Sequence, residues 1–162
     1  MAIIDPPTFR VISGGQTGAD RAALDAALSL SLDHGGWCPR GRRAEDGEIH
    51  PRYRLTETDS AGYRDRTRRN VEDTDGTLIF NKGELQGGTL LTLHCAETAG
   101  RPCKVVDPDD EDSLDEVLLW ITDNRIKTLN VAGPRASRQP LIYRSTYNYL
   151  RRLLGMVITK QA

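Results

Sequence analysis

The chain has 162 residues, a formal net charge of -1 and 38% hydrophobic residues. A chain of this length can bury roughly 70% of its unfolded surface as one domain, so a core can form without disulfides or structural metals. The small net charge provides no global field that would hold duplex DNA. No apolar run approaches the roughly 18 residues that would span a bilayer, so we expect no membrane segment.

The cysteine pattern indicates a reducing compartment. Cys38, Cys95 and Cys103 are odd in number, and they have no metal-ligand spacing with the three histidines. The N-terminus also lacks a basic segment followed by an apolar run, which is the pattern of an export signal. We therefore expect a cytoplasmic protein with no metal bound by its own side chains.

Arginines are concentrated in one part of the chain. Nine arginines and six acids lie between Arg40 and Arg69, whereas the segment 107–116 is strongly acidic. The acidic run is typical of a solvated surface. For the arginines, a solvated surface and a phosphate-contacting cluster both remain open.

Short β-prone runs alternate with longer segments of helical spacing, which is typical of βαβ units with a parallel sheet. Strands are predicted at 9–13, 36–38, 77–80, 104–106 and 128–131. Helices are predicted at 19–30, 62–71, 88–99, 113–124 and 140–154. Small residues favour close packing of the first helix on the sheet, and Gly100 is expected to end the third. The apolar face of the last helix predicts burial or docking of a second subunit.

The stretch 39–61 has little periodicity and is long for a loop inside a compact domain. Such loops usually indicate function or flexibility. No internal repeat and no second domain is indicated. The fold class that we predict is α/β, as a single Rossmann-like domain with a mostly parallel open sheet and helices on both faces.

The most specific local signal is a glycine turn, Ser-Gly-Gly-Gln-Thr-Gly-Ala-Asp at 13–20, between the first strand and the first helix. Glycines let backbone N–H groups approach an anion, and the helix N-terminus adds positive potential. The spacing fits neither a dinucleotide fingerprint nor a nucleotide-hydrolysing P-loop. The turn predicts a phosphate-binding loop, and the alternative is a plain turn with Asp20 as a first-turn acid. Its candidate residues are Gly14, Gly15, Gln16, Thr17, Gly18, Asp20 and Arg21.

Two further glycine turns follow predicted strands, at 83–89 and 132–137. The carboxyl ends of parallel strands meet at one edge of a sheet, where open α/β sheets bind ligands. We therefore expect Gly87, Gly88 and Thr89 to converge with Gly133 and Arg135. The Arg135 guanidinium could contact a phosphate or carboxylate in bidentate fashion.

A fourth candidate element is Trp-Cys-Pro-Arg-Gly at 37–41. It offers an aromatic face at Trp37 beside the cation of Arg40, a pairing suited to stacking on a heterocycle. A core position for Trp37 is the alternative. Cys38 is either a reactive thiol or a small buried hydrophobic residue.

These ordered motifs resemble the family of molybdenum cofactor carrier proteins, within the Rossmann-like domains that include the lysine-decarboxylase-like phosphoribohydrolases. The resemblance covers nearly the whole chain and includes Asn70. The segments that carry it are 14–20, 36–41, 53–58, 66–67, 70–71, 87–89 and 132–135.

The resemblance implies that the chain binds, protects and delivers the molybdenum cofactor (molybdopterin), a pterin with a dithiolene and a terminal phosphate. It also implies a homo-oligomer such as a tetramer, and a molybdoenzyme as the recipient. The partners expected are thus a small phosphate-bearing ligand and other proteins, with no membrane and no nucleic acid.

Two other functions stay open. One is a nucleotide-binding enzyme such as an N-glycosidic (phosphoribo)hydrolase. Those enzymes have an acid two to three residues after the glycine turn, whereas here Leu90, Leu91 and Thr92 follow Thr89, which lowers this alternative. The other is a nucleotide-sensing or DNA-associated module whose arginines at 64–69 contact phosphates, but the intervening Asp65 argues against a one-sided basic face.

Overall fold

The computed structural model describes residues 9–161, and its central feature is a five-stranded parallel sheet. In chain order the strands of the structure are β1 (Arg10–Ile12), β2 (Asp33–Gly35), β3 (Trp37–Cys38), β4 (Arg43–Ala44), β5 (Gly47–Glu48), β6 (Thr56–Glu57), β7 (Gly76–Phe80), β8 (Cys103–Val106) and β9 (Thr128–Ala132). The sheet has the spatial order β2-β1-β9-β7-β8. The last strand of the chain therefore lies at its centre.

Five helices cover the sheet. They are α1 (Ala19–Ser29), α2 (Tyr63–Glu72), α3 (Gly87–Ala99), α4 (Leu114–Asp123) and α5 (Ile142–Gln161). Helix α5 packs on both α1 and α4, whereas α2 packs on α3. The crossover through α1 runs toward one edge and the crossover through α3 toward the other, so right-handed connections place α1 and α3 on opposite faces. The predicted α/β class, with a parallel Rossmann-like sheet, is confirmed.

Burial explains why these segments form these elements. All five residues of β7 are buried, as expected for a central strand covered on both faces. Five alanines of α1 are buried as well, which lets this helix lie close to the sheet and to α5. Gly100 ends α3 in the left-handed conformation, with φ of 64°, as its sequence context predicts.

The second predicted strand is displaced from its expected position. The sheet strand is β2, three residues earlier, whereas Trp37 and Cys38 form β3 and pair with β6 outside the sheet. The chain leaves the sheet at Gly36, which has φ of 136°. A Cβ on Gly36 would lie 2.1 Å from the Ser13 carbonyl oxygen, so only glycine fits this crossing.

The stretch 39–61 is ordered by a small hydrophobic cluster of its own. It contains the hairpin of β4 and β5, and it folds back over α1. Ile49 and Tyr53 from this stretch are buried with Leu24 of α1 and with Cys38. The predicted absence of periodicity is explained by this packing, because isolated apolar residues contact the main body.

The final helix is longer than predicted, and its apolar face lies in the core. Ile142, Leu150, Leu153 and Leu154 are buried, whereas Leu141 is 68% exposed. No helix in the described range is long and apolar enough to cross a membrane. The expectation about an export signal concerns residues 1–8, which lie outside the described residues.

The end of β9 provides a test of the packing at the strand edge. Gly133 has no room for a side chain, because a Cβ would lie 2.5 Å from the Phe80 carbonyl oxygen and 2.6 Å from Ala19 Cβ. We expect Gly133→Ala to lower the free energy of unfolding by about 1–3 kcal/mol, a typical cost of overpacking. Gly88→Ala is the control, since a Cβ there meets nothing within 4 Å. Equal denaturation midpoints for the two variants would contradict this packing.

Candidate ligand-binding cleft

Three neighbouring strands, β1, β9 and β7, end at one edge of the sheet, and their following loops border a cleft. The cleft has two connected parts. We call the part lined by Gln16, Arg66 and Arg135 the inner chamber, with a volume of about 80 Å³. The part lined by Lys82 and Glu84 is the outer chamber, with a volume of about 390 Å³. Both chambers are lined by Gln86, Thr89, Pro134 and Arg138.

The start of α3 faces this cleft. Gln86 is the N-cap residue and makes no side-chain capping bond. The first N–H groups of a helix have no acceptor within the helix, and the helix dipole makes this end positive. A Cβ on Gly87 would lie 3.0 Å from Arg138 Nη2, so the guanidinium packs directly against the helix start. This end of the cleft is therefore suited to an anion.

A tyrosine ring organises the cations of the inner chamber. The guanidinium carbons of Arg66 and Arg135 lie 5.4 Å and 5.2 Å from the centroid of the Tyr63 ring. Arg43 lies 5.3 Å from the same centroid. Each distance is within the range of a cation–π contact. The ring thereby holds positive charges close together beside the inner chamber without neutralising them.

Asp20 is the single acid among the described residues that line the inner chamber, and it is already paired. Its Oδ2 accepts hydrogen bonds from Arg66 Nη1 at 3.2 Å and from the Gln16 backbone N at 3.3 Å. The Asp20 side chain is 5% exposed and the Arg66 side chain 12%. Burial raises the pKa of Asp20, and the adjacent guanidinium opposes that shift. The Asp20 carboxylate is thus already hydrogen-bonded within the protein and has a structural role in the site.

The first glycine turn uses most of its donors internally. The Thr17 N–H donates to Gln16 Oε1 at 3.0 Å, and the Ala19 N–H donates to the Pro134 carbonyl at 3.2 Å. Gly15 has φ of 76°, and a Cβ there would lie 2.6 Å from Leu55 Cδ1. Gly15 therefore packs against the stretch 39–61. Within the turn, Gln16 and Asp20 line the inner chamber.

Side chains of the same turn connect three loops. Thr17 Oγ1 donates to Glu45 and accepts the Ala136 N–H at 3.1 Å. Glu45 also accepts hydrogen bonds from the backbone N–H of Ser137 at 3.1 Å and from its hydroxyl at 2.6 Å. Arg21 donates to the Gly15 carbonyl and to Asp46. Thr17 and Arg21 thus stabilise the walls of the cleft and are not among its lining residues.

The Trp37 element lies apart from the cleft. Asn70 bonds both the backbone N and the backbone O of Trp37, at 2.7 Å and 2.9 Å. Trp37 Nε1 donates to Asp73 at 2.8 Å, and the Arg69 guanidinium covers its ring at 4.8 Å. None of the predicted residues Trp37, Cys38, Arg40 and Asn70 lines either chamber. The predicted site residues that the structure brings together are Gln16, Asp20, Gly88, Thr89, Gly133 and Arg135.

Sequence reasoning missed several residues of the cleft as individual site residues. Tyr63 and Arg66 belong to α2, which is separated from the predicted turns in the sequence and lies beside them only in the folded chain. Arg138 lies beyond the third glycine turn and has no motif of its own. The segment 66–67 did contribute to the family resemblance, so that resemblance carried a signal for Arg66 that periodicity did not.

The fold and the cleft define a Rossmann-like domain with a polar cleft at the carboxyl edge of its sheet. The chain belongs to the circularly permuted YpsA SLOG family, whose model matches residues 11–154. It is similar to the crystal structure of a protein from Syntrophus aciditrophicus that carries the provisional name molybdenum carrier protein. The two are 44% identical over 93% of this chain and 98% of that chain, with a TM-score of 0.88. The predicted family resemblance is confirmed.

A second solved structure, (E)-4-hydroxy-3-methyl-but-2-enyl diphosphate reductase, is 11% identical over 89% of this chain and 59% of that chain. Its TM-score of 0.39 is too low to bear on function. Among curated proteins, none matches the chain.

The hydrogen bonds that Glu45 accepts predict a pH-dependent contribution of this residue to the stability of the folded chain. Hydrogen bonds from Ser137 and Thr17 hold the pKa of Glu45 below its ordinary value. Ionised Glu45 therefore stabilises the folded state above the unfolded pKa of about 4.3, and this contribution is lost as the pH falls through the lower folded-state value. We expect Glu45→Gln to lower the Tm at neutral pH and to match the parent in acid. A difference in Tm that stays constant with pH would contradict this assignment.

The cysteines give a prediction about reactivity. Burial raises the pKa of Cys38 and of Cys95, and it raises the pKa of Cys103 to about 11. Because the thiolate is the nucleophile, all three should react slowly with iodoacetamide at neutral pH in the folded protein. Cys38 should be the slowest, since its side chain is fully buried. Mass spectrometry of the folded and the denatured chain measures these rates. Fast modification of Cys38 in the folded protein would instead identify it as a reactive thiol.

Proposed function

We propose that the chain binds the molybdenum cofactor in this cleft, protects it and delivers it to a molybdoenzyme. The relative from Syntrophus aciditrophicus supports this at the family level through its name. The chemistry of the cleft supports it independently, because a pterin with a terminal phosphate needs an anion site joined to a larger polar cavity.

The observation that carries the proposal is the convergence of positive charge at the carboxyl edge of the sheet. Arg66, Arg135 and Arg138 line the inner chamber beside the start of α3. Its lining acid, Asp20, is already paired with Arg66. A phosphate would therefore meet several donors and no free carboxylate among the described lining residues. Ligands of α/β sheets bind at this same edge.

The outer chamber supplies room for the rest of the ligand. Its volume of about 390 Å³ lies within the range of small-molecule sites. Gln139 Nε2 donates to the Lys82 carbonyl at 3.0 Å, and Asn81 Nδ2 donates to the Gly83 carbonyl at 2.8 Å. These bonds fix the loop after β7. A preformed wall lowers the entropy cost of binding and favours a carrier that holds its cargo away from solvent.

The hydrolase alternative receives less support from the side chains of the cleft. Leu91 and Thr92, which follow the second glycine turn, line the inner chamber and carry no carboxylate. Asp20 is held by Arg66, and Glu84 lines the outer chamber. Cleavage of a glycosidic bond requires a carboxylate or an equivalent group at the sugar. An enzyme would therefore have to use Glu84 or a rearranged Asp20.

Nucleic-acid binding is also disfavoured by the arrangement of arginines on α2. Arg66 points to Asp20, whereas Arg68 pairs with Asp65 and Glu72. Arg69 covers the ring of Trp37. The basic cluster in the sequence is thus divided among several faces of one helix, and no continuous basic stripe forms from these residues.

Self-association is part of the proposal. Leu141 is largely exposed at the start of α5, and the rings of Tyr143 and Tyr147 are stacked with centroids 6.1 Å apart. Both tyrosines are partly exposed, and aromatic residues are enriched in protein interfaces. A homo-oligomer, and docking of the recipient molybdoenzyme, remain proposals that rest on the family resemblance.

Gly88→Val provides a steric test of the cleft. A Cβ on Gly88 meets no protein atom within 4 Å, so the added side chain should enter the ligand space while the fold stays intact. We expect the parent, purified from cells that synthesise the cofactor, to release an oxidised fluorescent pterin on acid treatment. Gly88→Val should release about tenfold less, since a clash of about 1–3 kcal/mol reduces affinity by that order.

Gly155→Val is the matched control, because a Cβ on Gly155 in α5 also meets nothing within 4 Å. Arg138→Gln paired with Arg151→Gln separates lost charge from steric effects in the same assay. Equal pterin content in the parent and Gly88→Val would contradict the cleft assignment. Conversion of adenosine monophosphate to free base by the parent, abolished in Gly88→Val, would replace the carrier function by hydrolysis.

A further inference from the structure

We infer that the cleft fixes the direction of its ligand, with the phosphate in the inner chamber and the heterocycle in the outer chamber. This inference rests on the proposed function, since it assigns the two ends of the same phosphate-bearing ligand. Three observations carry it: the sizes of the chambers, the unpaired donors of the inner chamber and the distribution of charge between them.

Size alone distinguishes the chambers. The inner chamber has a volume of about 80 Å³, about one fifth of that of the outer chamber. It lies below the roughly 300 Å³ at which small-molecule sites begin, which suits a phosphate group better than a fused heterocycle with its substituents. The outer chamber of about 390 Å³ is large enough for that heterocycle.

Two residues that line the inner chamber also carry buried donor atoms with no partner among residues 9–161. They are Gln16 Nε2 and Arg66 Nε. Gln16 is 5% exposed and lines the chamber. A buried donor without a partner costs free energy, and a ligand oxygen that accepts its hydrogen bond removes this cost. Both unpaired atoms are donors, so the chemistry that completes the inner chamber is an acceptor with several oxygens.

The orientation of the Gln16 amide is fixed by its neighbours. Its Oε1 accepts the Thr17 N–H at 3.0 Å and the Glu45 N–H at 2.9 Å. A flipped amide would oppose its NH₂ group to two backbone donors, which is unfavourable. The free atom of this amide is therefore the donor Nε2. The two backbone contacts fix its position without consuming the hydrogen bonds that a phosphate would accept.

The outer chamber has a different electrostatic character. Of its two cations, Lys82 is paired with Asp109, whereas Arg138 is shared with the inner chamber. Glu84 is exposed at the wall of the outer chamber and forms no ion pair among residues 9–161. A free carboxylate would repel a phosphate, whereas it can accept hydrogen bonds from the ring N–H and amino groups of a heterocycle. Arg138 lines both chambers and lies where the two ends of the ligand join.

The test uses two separate probes, inorganic phosphate and 6-hydroxymethylpterin, with the phosphate ester of this pterin as the joined ligand. Titration calorimetry gives each Kd. If each end has its own chamber, phosphate and the unphosphorylated pterin should bind the parent together, without competition. Either probe should compete with the ester.

Variants of the inner chamber sharpen the test. Gln16→Glu keeps an oxygen for the two backbone donors and replaces Nε2 by an anionic acceptor. Arg135→Gln removes a charge from a residue that lines only the inner chamber. Each should weaken phosphate and ester binding by about tenfold or more, the size of a lost hydrogen bond to a charged group. Binding of 6-hydroxymethylpterin should stay within about twofold of the parent.

The matched control for Gln16→Glu is Asn148→Asp, which adds the same charge on the exposed surface of α5. The matched control for Arg135→Gln is Arg151→Gln, also on that helix. Both should bind all probes like the parent. Competition between phosphate and 6-hydroxymethylpterin, or loss of pterin binding alone in Gln16→Glu, would overturn the assigned direction. If the parent binds phosphate but not the pterin, the assigned direction of the ligand is overturned, whereas the anion site in the inner chamber is retained. A parent that binds neither probe nor the ester would remove the proposed function as well.

Discussion

The buried ion pair between Asp20 and Arg66 is the interaction on which the cleft depends. It joins the first turn of α1 to the middle of α2, two helices on opposite faces of the sheet, at the edge where the strands end. A Cβ on Gly14 would lie 2.0 Å from Arg66 Nη1, so a larger residue at this position would displace the guanidinium from its pair. Removing one partner would leave a buried charge uncompensated, which typically costs 3–5 kcal/mol. The pair thus fixes the geometry of the inner chamber and leaves Arg66 Nε free.

The two glycine turns at helix starts differ in what they leave open. In the turn before α1, backbone N–H groups already have acceptors within the protein, because Asp20 accepts the Gln16 N–H and Pro134 accepts the Ala19 N–H. The turn before α3 has no capping side chain, and Gly88 has open space beside it. Similar residue types therefore form the framework in one loop and the lining of the cleft in the next. In the proposed carrier, the first turn shapes the cavity and the second meets the anion.

The cations of the cleft come from separate parts of the chain. Arg66 belongs to α2, whereas Arg135 and Arg138 follow β9. Tyr63 gathers Arg66 and Arg135 through its ring, since aromatic faces attract guanidinium groups without neutralising them. Such an arrangement keeps charge available for a ligand that also carries charge. The three arginines that line the inner chamber outnumber its one acid, Asp20, although the net charge of the chain is -1.

The sequence by itself determined the α/β class, the order of strands and helices, and the convergence of three loops at one edge. These follow from local rules: apolar runs of strand length, helical spacing, Gly100 as a stop, and glycines after strands. The position of the second sheet strand did not follow, because the segment 33–35 carries no apolar run and its place depends on the crossing at Gly36. Trp37 beside Arg40 suggested a stacking site, but Asn70 and Asp73 hold Trp37 away from the cleft. Only the tertiary structure decided which glycines pack against protein atoms, which glycines line the cleft, and which arginines are paired. Those outcomes depend on distances between residues far apart in the chain, such as Asp20 and Arg66, and no local pattern encodes such distances.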